Sequence, residues 1–503
     1  MSTERLNEHA KGVTRRHGDT EMVTRLLDTR SSVAPCLRVS GIAYVLILSH
    51  PLTLFSQAPY VPPSDPVVAE KLEQWQDLKF GLLMHWGPYS QWGVVESWSI
   101  CPEDEDWCRR RPEHGTTYNE YVKNYEALQT TFNPTKFDPS KWARAAKEAG
   151  MKYMVFTTKH HDGFCMFDTK TTDYRITSPK TPFHEDPRAN VTKEIFDAFR
   201  KEGLWTGAYF SKPDWHSDDY WWRNFPPKDR SVNYLPTKHP ERWQAFKHHT
   251  YTQIEELMTG YGPVDILWLD GGWVRPLNSI DTSVSWQKAI TIEQDIDMPR
   301  IAAMARTHQP GLLVVDRTVG GEFENYITPE GHVPDADLGV PWETCMPMGT
   351  SWSWVPNEKY KSTDEIIRTL VKVVSRGGSL LLNVAPGPDG QLDSTAYVRL
   401  KEVGEWLRVN GEAVYGTRAH MPYDDVVEGV TTDTTKRAIY LFGDDATSRW
   451  HFPWEGRSKP KVTILGYRER PKVMLKNGIV TIDIPDQLIP VEGERMLVVK
   501  LQR

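Results

Sequence analysis

From about Trp75 onward the chain alternates short, unbroken apolar runs with stretches of helical periodicity. The runs are Phe80–Met84, Tyr153–Phe156, Trp205–Tyr209, Val264–Leu269, Leu312–Val315 and Leu380–Leu382. Amphipathic patterns lie between them, over Trp142–Ala149, Ile195–Lys201, Trp243–Met258 and Ile366–Val374. An unbroken apolar run marks a strand covered on both faces, and helices between such strands are the crossovers of a parallel sheet. The polar residues that follow the runs narrow the choice further. They are His85, then Lys159-His160-His161-Asp162, then Ser211-Lys212 behind Tyr209, then Asp270, then Asp316-Arg317. A run near Gly339-Val340 ends in Trp342-Glu343. Polar groups collected at the C-terminal ends of successive strands predict a (β/α)-barrel, TIM-like, with its active face at that end. The competing fold is a doubly wound open sheet, but no Gly-x-Gly-x-x-Gly turn follows the first strand, which disfavours dinucleotide binding.

After Asn410-Gly411-Glu412 the pattern changes to short strands with no helical period between them: Ala438–Phe442, Lys461–Leu465, Ile479–Asp483 and Met496–Lys500. This predicts a C-terminal β-sandwich. The expected organisation is a catalytic barrel over 59–412 and the sandwich over 413–503. Ahead of them, residues 1–58 read as a polar extension followed by a secretion signal. Arg38, the apolar stretch Ile42–Leu48, the second run Leu52–Phe55 and the small-x-small exit Ser56-Gln57-Ala58 carry that reading. The apolar core is shorter than the roughly 20 residues of a membrane span. A secreted or periplasmic location follows, with membrane attachment only if the leader stays uncleaved.

Composition adds exclusions. Sixty Lys+Arg against 67 Asp+Glu give a net charge of −7, without the basic excess that phosphate contacts need. Five cysteines are too few to staple 503 residues, so a hydrophobic core holds the chain. Cys101 and Cys108 bracket an acidic stretch; in an exported protein they could pair, and two thiols are the alternative. Twenty tryptophans beside 20 tyrosines and 16 phenylalanines supply flat apolar faces with N–H and O–H donors, which suit a sugar ring as well as a core.

Asp270 is the leading chemical candidate. It ends an apolar strand with Trp268 on the same face, and Gly271-Gly272 behind it leave a ligand's approach open. A carboxylate beside an indole suits glycoside chemistry, which needs a second carboxyl to protonate the leaving oxygen. Glu322, Glu324, Glu330 and Glu343 all qualify by position. Adjacent His160 and His161 should point to different sides and so chelate one metal poorly. With no His-x-His pair after the first strand and no His-Glu-x-x-His helix, no metal site is expected.

Five segments together resemble the α-L-fucosidases of glycoside hydrolase family 29. They are Phe80–Gly87, Thr157–Phe164, Trp268–Trp273, Pro341–Cys345 and Leu381–Pro386, in the family's order and spanning about 70–415. The resemblance implies an exo-acting, retaining hydrolase that removes terminal α-L-fucose from glycans through a covalent fucosyl-enzyme, with no cofactor. It implies Asp270 as nucleophile. It implies Glu330, in Thr328-Pro329-Glu330, as acid/base, with Glu343 in reserve. His85, Glu96, His160, His161, Tyr209, Trp268 and Arg317 fall on positions that surround the sugar. Trp86, Trp273 and Trp342 are expected as pocket walls, and Gly-rich surroundings suggest that Glu330 rides on a closing loop. An exported, non-catalytic fucose-binding protein and a metal-dependent barrel hydrolase are the alternatives.

Overall fold

The computed structural model describes residues 60–102, 108–420, 427–443, 448–485, 488 and 496–503. The leader and the acidic stretch between Cys101 and Cys108 lie outside them; both cysteines are buried. Helix α1 (Pro66–Leu78), absent from the sequence reading, starts at Asp65, whose side chain accepts from Val67 N–H, with proline in the first turn.

Seven strands then form one parallel sheet: β1 (Phe80–Met84), β2 (Tyr153–Lys159), β3 (Trp205–Ser211), β4 (Ile266–Asp270), β5 (Leu313–Asp316), β6 (Glu343–Pro347) and β7 (Ser379–Asn383). Their order is β5-β4-β3-β2-β1-β7-β6. Residues 324–331 close the gap between the outer strands. Glu324 bridges Val315 of β5, while Ile327 and Glu330 bridge Trp342 and Cys345 beside and within β6. The result is a barrel.

The crossovers and loops carry helices α2 (Tyr118–Glu126), α3 (Pro139–Glu148), α4 (Val191–Lys201), α5 (Pro240–Gly260), α6 (Ser285–Lys288), α7 (Met298–His308), α8 (Thr363–Ser375) and α9 (Ser394–Asn410). Strand side chains alternate between two cores. Leu82, Met154, Phe156, Leu267 and Leu269 face outward to the helices. Leu83, Tyr153, Val155, Ile266 and Trp268 fill the barrel interior together with Val68, Leu72 and Trp75 of α1. Tyr153 is the first residue of β2, so α1 plugs the end of the barrel where the strands begin.

Two antiparallel sheets follow. β8 (Thr417–Ala419), β9 (Gly429–Asp433), β10 (Ala438–Gly443), β12 (Lys461–Ile464) and β15 (Leu497–Gln502) form one, in the order β12-β15-β10-β9-β8. The other, β11-β14-β13, holds β11 (Arg449–Pro453), β13 (Lys472–Lys476) and β14 (Ile479–Asp483). Val430, Leu441 and Val499 pack against Trp450, Phe452 and Ile482 in a shared core, as a sandwich requires. Trp406 of α9 donates to the Met496 carbonyl at 2.8 Å and ties this unit to the barrel. Among the described residues no helix is long and apolar enough to cross a membrane.

One strand departs from the sequence reading. Glu343 opens β6 instead of ending a strand, because the ladder runs Glu343–Pro347 and Gly339-Val340 lies in the loop before it.

Candidate active site

Asp270 closes β4, and its carboxylate is held from three directions. Arg317 Nη1 donates to Oδ1 at 2.8 Å, the Tyr209 hydroxyl donates to Oδ2 at 2.6 Å, and His161 Nε2 lies 3.8 Å from Oδ2. Burial alone would raise this carboxyl. The Arg317 charge, His161 and the Tyr209 hydroxyl outweigh it and hold the group well below the usual carboxylate range. The two glycines behind it serve packing more than ligand access. Gly271 has φ +89°, and a Cβ there would stand 2.3 Å from Pro213 Cδ; one on Gly272 would stand 2.1 Å from Thr318 Oγ1.

Arg317 follows β5 and spends its guanidinium on both halves of the site. Its other terminal nitrogen donates to Glu330 Oε2 at 2.7 Å, and Nε donates to Thr328 Oγ1 at 3.0 Å. One planar fork thus bonds both Asp270 and Glu330 and brings the two carboxyl groups to the same cation. Asp270 and Glu330 together hold Arg317 well above its ordinary value against the opposing effect of burial, so it stays cationic. The side chain of Glu330 is 50% exposed. Its backbone is no free loop, because Gly331 N–H donates to the Cys345 carbonyl at 2.9 Å.

The other candidates fall elsewhere. Glu343 is fully buried, with Oε1 accepting from Trp268 Nε1 at 3.1 Å and Oε2 from the Tyr153 hydroxyl at 2.5 Å. Burial pushes it up to about 7, against the pull of those hydrogen bonds and of Arg317. Glu324 is buried on the backbone N–H groups of Thr318 and Gly320, and Glu322 is exposed.

Three histidines line the opposite side. His85 follows β1, and Asn383 Oδ1 at the end of β7 accepts both its backbone N–H (3.2 Å) and Nδ1–H (2.9 Å). That tautomer leaves Nε2 as an acceptor. His160 Nδ1 pairs with Ser97 Oγ at 2.6 Å. His161 packs among Trp98, Trp215 and Trp273 at ring distances of 5.1–5.2 Å, with Nδ1 buried and unpartnered. Glu96 is buried with φ +26° and an unpartnered Oε1; burial, then Glu330, raise its carboxyl well above the ordinary value. Tyr209 stacks on Trp268, the two rings 5.2 Å apart and tilted 26°.

Asp270, Glu330, Arg317, His85, Glu96, His160, His161, Tyr209 and Trp268 therefore come together at one face, and Glu343 lies apart from them. His160 and His161 differ from the expectation that adjacent side chains diverge. Their rings sit 4.2 Å apart, and one ligand atom from each, with one from Asp270, falls within 4.8 Å of the others. Trp86 and Trp342 are not walls: Trp86 packs outward on Phe132, Phe137 and Trp142, and Trp342 donates to the Arg376 carbonyl within the outer core. Trp98, Trp215 and Asn383 were missed as site residues, and Trp352, expected with Trp354 only at an outer subsite, lies 5.4 Å from the His85 ring. Asn383 and Trp215 carried a signal: Asn383 ends strand β7 and Trp215 comes shortly after β3.

The buried histidines predict acid sensitivity. Burial, the dominant cause, lowers His85 from 6.5 to about 4 and His161 to about 3. Below pH 6.5 the unfolded chain takes up protons that the folded state refuses, so stability is intact above that pH and falls as pH drops towards 4 and 3. At roughly 1.4 kcal/mol per pH unit per histidine, several kcal/mol are lost by pH 4. Urea midpoints at pH 7, 5.5 and 4.5 should fall steeply; a flat series contradicts the assignment.

Paired carboxylates on the C-terminal face of a (β/α)-barrel are an arrangement that glycoside hydrolases use, and the family match makes the protein one by class. The family model described as Alpha-L-fucosidase matches residues 48–412, and the chain belongs to that family. It is 27% identical to the tissue α-L-fucosidase of Rattus norvegicus over 491 residues, covering 90% of this chain and 96% of the relative. It is 27% identical to the plasma α-L-fucosidase of Homo sapiens over 389 residues, covering 73% and 74%. Among solved structures, α-L-fucosidase isoenzyme 1 from Paenibacillus thiaminolyticus superposes with a TM-score of 0.67 at 26% identity, covering 87% of this chain and 99% of that one. The Thermotoga maritima α-fucosidase gives 0.65 at 28% identity, covering 86% and 98%.

Proposed function

We propose that the protein is an exo-acting, retaining α-L-fucosidase that releases terminal α-L-fucose from fucosylated oligosaccharides or glycoconjugates. The observation that carries this reading is the single Arg317 guanidinium joining an ionised Asp270 to Glu330. Asp270 Oδ attacks the anomeric carbon as the glycosidic bond breaks, and Glu330 gives its proton to the departing oxygen. A fucosyl ester on Asp270 results. Water then attacks the same carbon, Glu330 takes the water's proton, and the ester bond breaks to return the Asp270 carboxylate.

Pairing with Arg317 suits the ionised Glu330 of the second step. The first step needs a protonated side chain turned to the leaving oxygen, and the half-exposed position of Glu330 leaves room for that. Glu343, enclosed behind Trp268, has no path to the leaving oxygen. His85, Glu96, His160, His161 and Tyr209 supply donors and acceptors for the sugar hydroxyls, while Trp268 and the indoles around His161 offer apolar surface to a 6-deoxy sugar's methyl. No metal enters the reaction. A cation between His160, His161 and Asp270 would face the Arg317 guanidinium already bonded to that carboxylate.

The family match ends at 412, which supports a barrel over 59–412 and a separate sandwich over 413–503. The similarity to a plasma enzyme supports export by a signal at about 38–58. The test is hydrolysis of an aryl α-L-fucoside followed by NMR of the first sugar formed. The α-anomer should appear first, at a rate unchanged by EDTA. Initial β-anomer contradicts retention, loss of rate in EDTA contradicts the metal-free reading, and no hydrolysis favours the binding protein.

A further inference from the structure

Glu343 is a buried carboxyl to which the proposed reaction gives no step. It begins β6 at the closed end of the barrel, and both of its oxygens are engaged, one by Trp268 Nε1 and one by the Tyr153 hydroxyl. The Tyr326 hydroxyl faces the same carboxyl, and its ring stacks on Trp75 at 3.9 Å; Trp75 also meets Tyr153 edge-on at 6.5 Å. Gly81 makes the room, because a Cβ there would stand 2.5 Å from the Tyr153 ring. On its other side Trp268 stacks on Tyr209 and carries the Arg317 guanidinium 4.4 Å above its ring. Tyr209 and Arg317 are the residues whose side chains bond the Asp270 carboxylate. A packed column therefore runs from α1 through Glu343 and Trp268 to the Asp270 carboxylate.

An indole is a donor only, through one N–H, and the aliphatic side chains Leu83, Val155, Val315 and Leu381 of the same buried cluster offer that group nothing. In a dry interior the bond to Glu343 is thus the directional contact that fixes the plane of the ring. That plane supports both groups that hold Asp270. We propose that Glu343 is a positioning residue, which through its bonds to Trp268 and Tyr153 sets the indole plane on which Tyr209, Arg317 and the sugar are aligned with Asp270. This inference rests on the reading of Asp270 as the attacking group.

The test compares Glu343→Leu, Glu343→Gln and Tyr153→Phe with the unaltered enzyme on aryl fucosides of graded leaving-group acidity. Competent sites are counted by titration with 2-fluoro-fucosyl fluoride, so that a change in folded fraction drops out. Glu343→Leu should lower kcat per competent site by about 10²-fold, the cost of a small misplacement. The loss should be the same for every leaving group and unrelieved by azide. Glu343→Gln keeps an acceptor for the Trp268 N–H and should recover to within about fivefold of the unaltered enzyme. An unchanged kcat per site in Glu343→Leu overturns the proposal in favour of a purely structural role. A loss that grows as the leaving group worsens overturns it in favour of proton donation. If Glu343→Leu yields no folded protein, Tyr153→Phe decides: a uniform loss of about tenfold supports positioning, and no loss overturns it. Failure of the unaltered enzyme to hydrolyse any aryl fucoside would instead strike the underlying assignment of activity.

Discussion

Asp270→Gly should lower turnover of an aryl α-L-fucoside by about four to six orders of magnitude, the scale seen when a covalent nucleophile is removed. The substitution takes away the carboxylate that Arg317, Tyr209 and His161 jointly hold in its ionised form. It also leaves a space beside the anomeric carbon that a small anion can fill. Azide should therefore restore part of the rate and yield β-L-fucosyl azide, since one displacement without the protein's own inverts configuration. Deleting Asp270 also costs stability, because the buried Arg317 guanidinium keeps Glu330 as its carboxylate partner and loses the other, so turnover is compared per folded protein. A variant that retains more than about one per cent of activity contradicts the nucleophile assignment.

Glu330→Ala should separate substrates by their leaving groups. Aglycones that depart without help should react nearly as before in the first step, whereas poor leaving groups should lose about 10²–10⁴-fold, the usual worth of a positioned acid. The effect belongs to Glu330 because its side chain is half exposed at the mouth of the site, on the Arg317 nitrogen next to the one that holds Asp270. Glu343 sits on the far side of Trp268, and loss of its carboxyl should depress all substrates alike. If the leaving-group dependence follows Glu343 and not Glu330, the acid/base assignment is wrong.

The barrel and most of its active face were legible because two simple signals coincide. Buried parallel strands are unbroken apolar runs, and the residues just past their ends are polar, which located His85, His160, His161, Asp270 and Arg317. What escaped lacks those signals. Strand β6, Glu343–Pro347, has no unbroken apolar run, so Glu343 was placed at the wrong end of it. The barrel-closing segment from Glu324 to Glu330 is held by isolated bridges and reads as loop. Trp86 and Trp342 stand next to motif residues in the chain, yet each packs outside the sheet among the helices. Adjacency along a strand end puts neighbours on opposite faces. The contrary case, His160 and His161, comes just after β2 has ended, where the turn brings two successive rings to one side.

The central claim is a fucosyl ester on Asp270. Its most direct test is inactivation with 2-fluoro-fucosyl fluoride, followed by intact mass and peptide mapping. The account predicts one 2-fluoro-fucosyl group per chain, on the peptide and residue of Asp270. Labelling of Glu330 or any other carboxylate, or inactivation with no added mass, would contradict it.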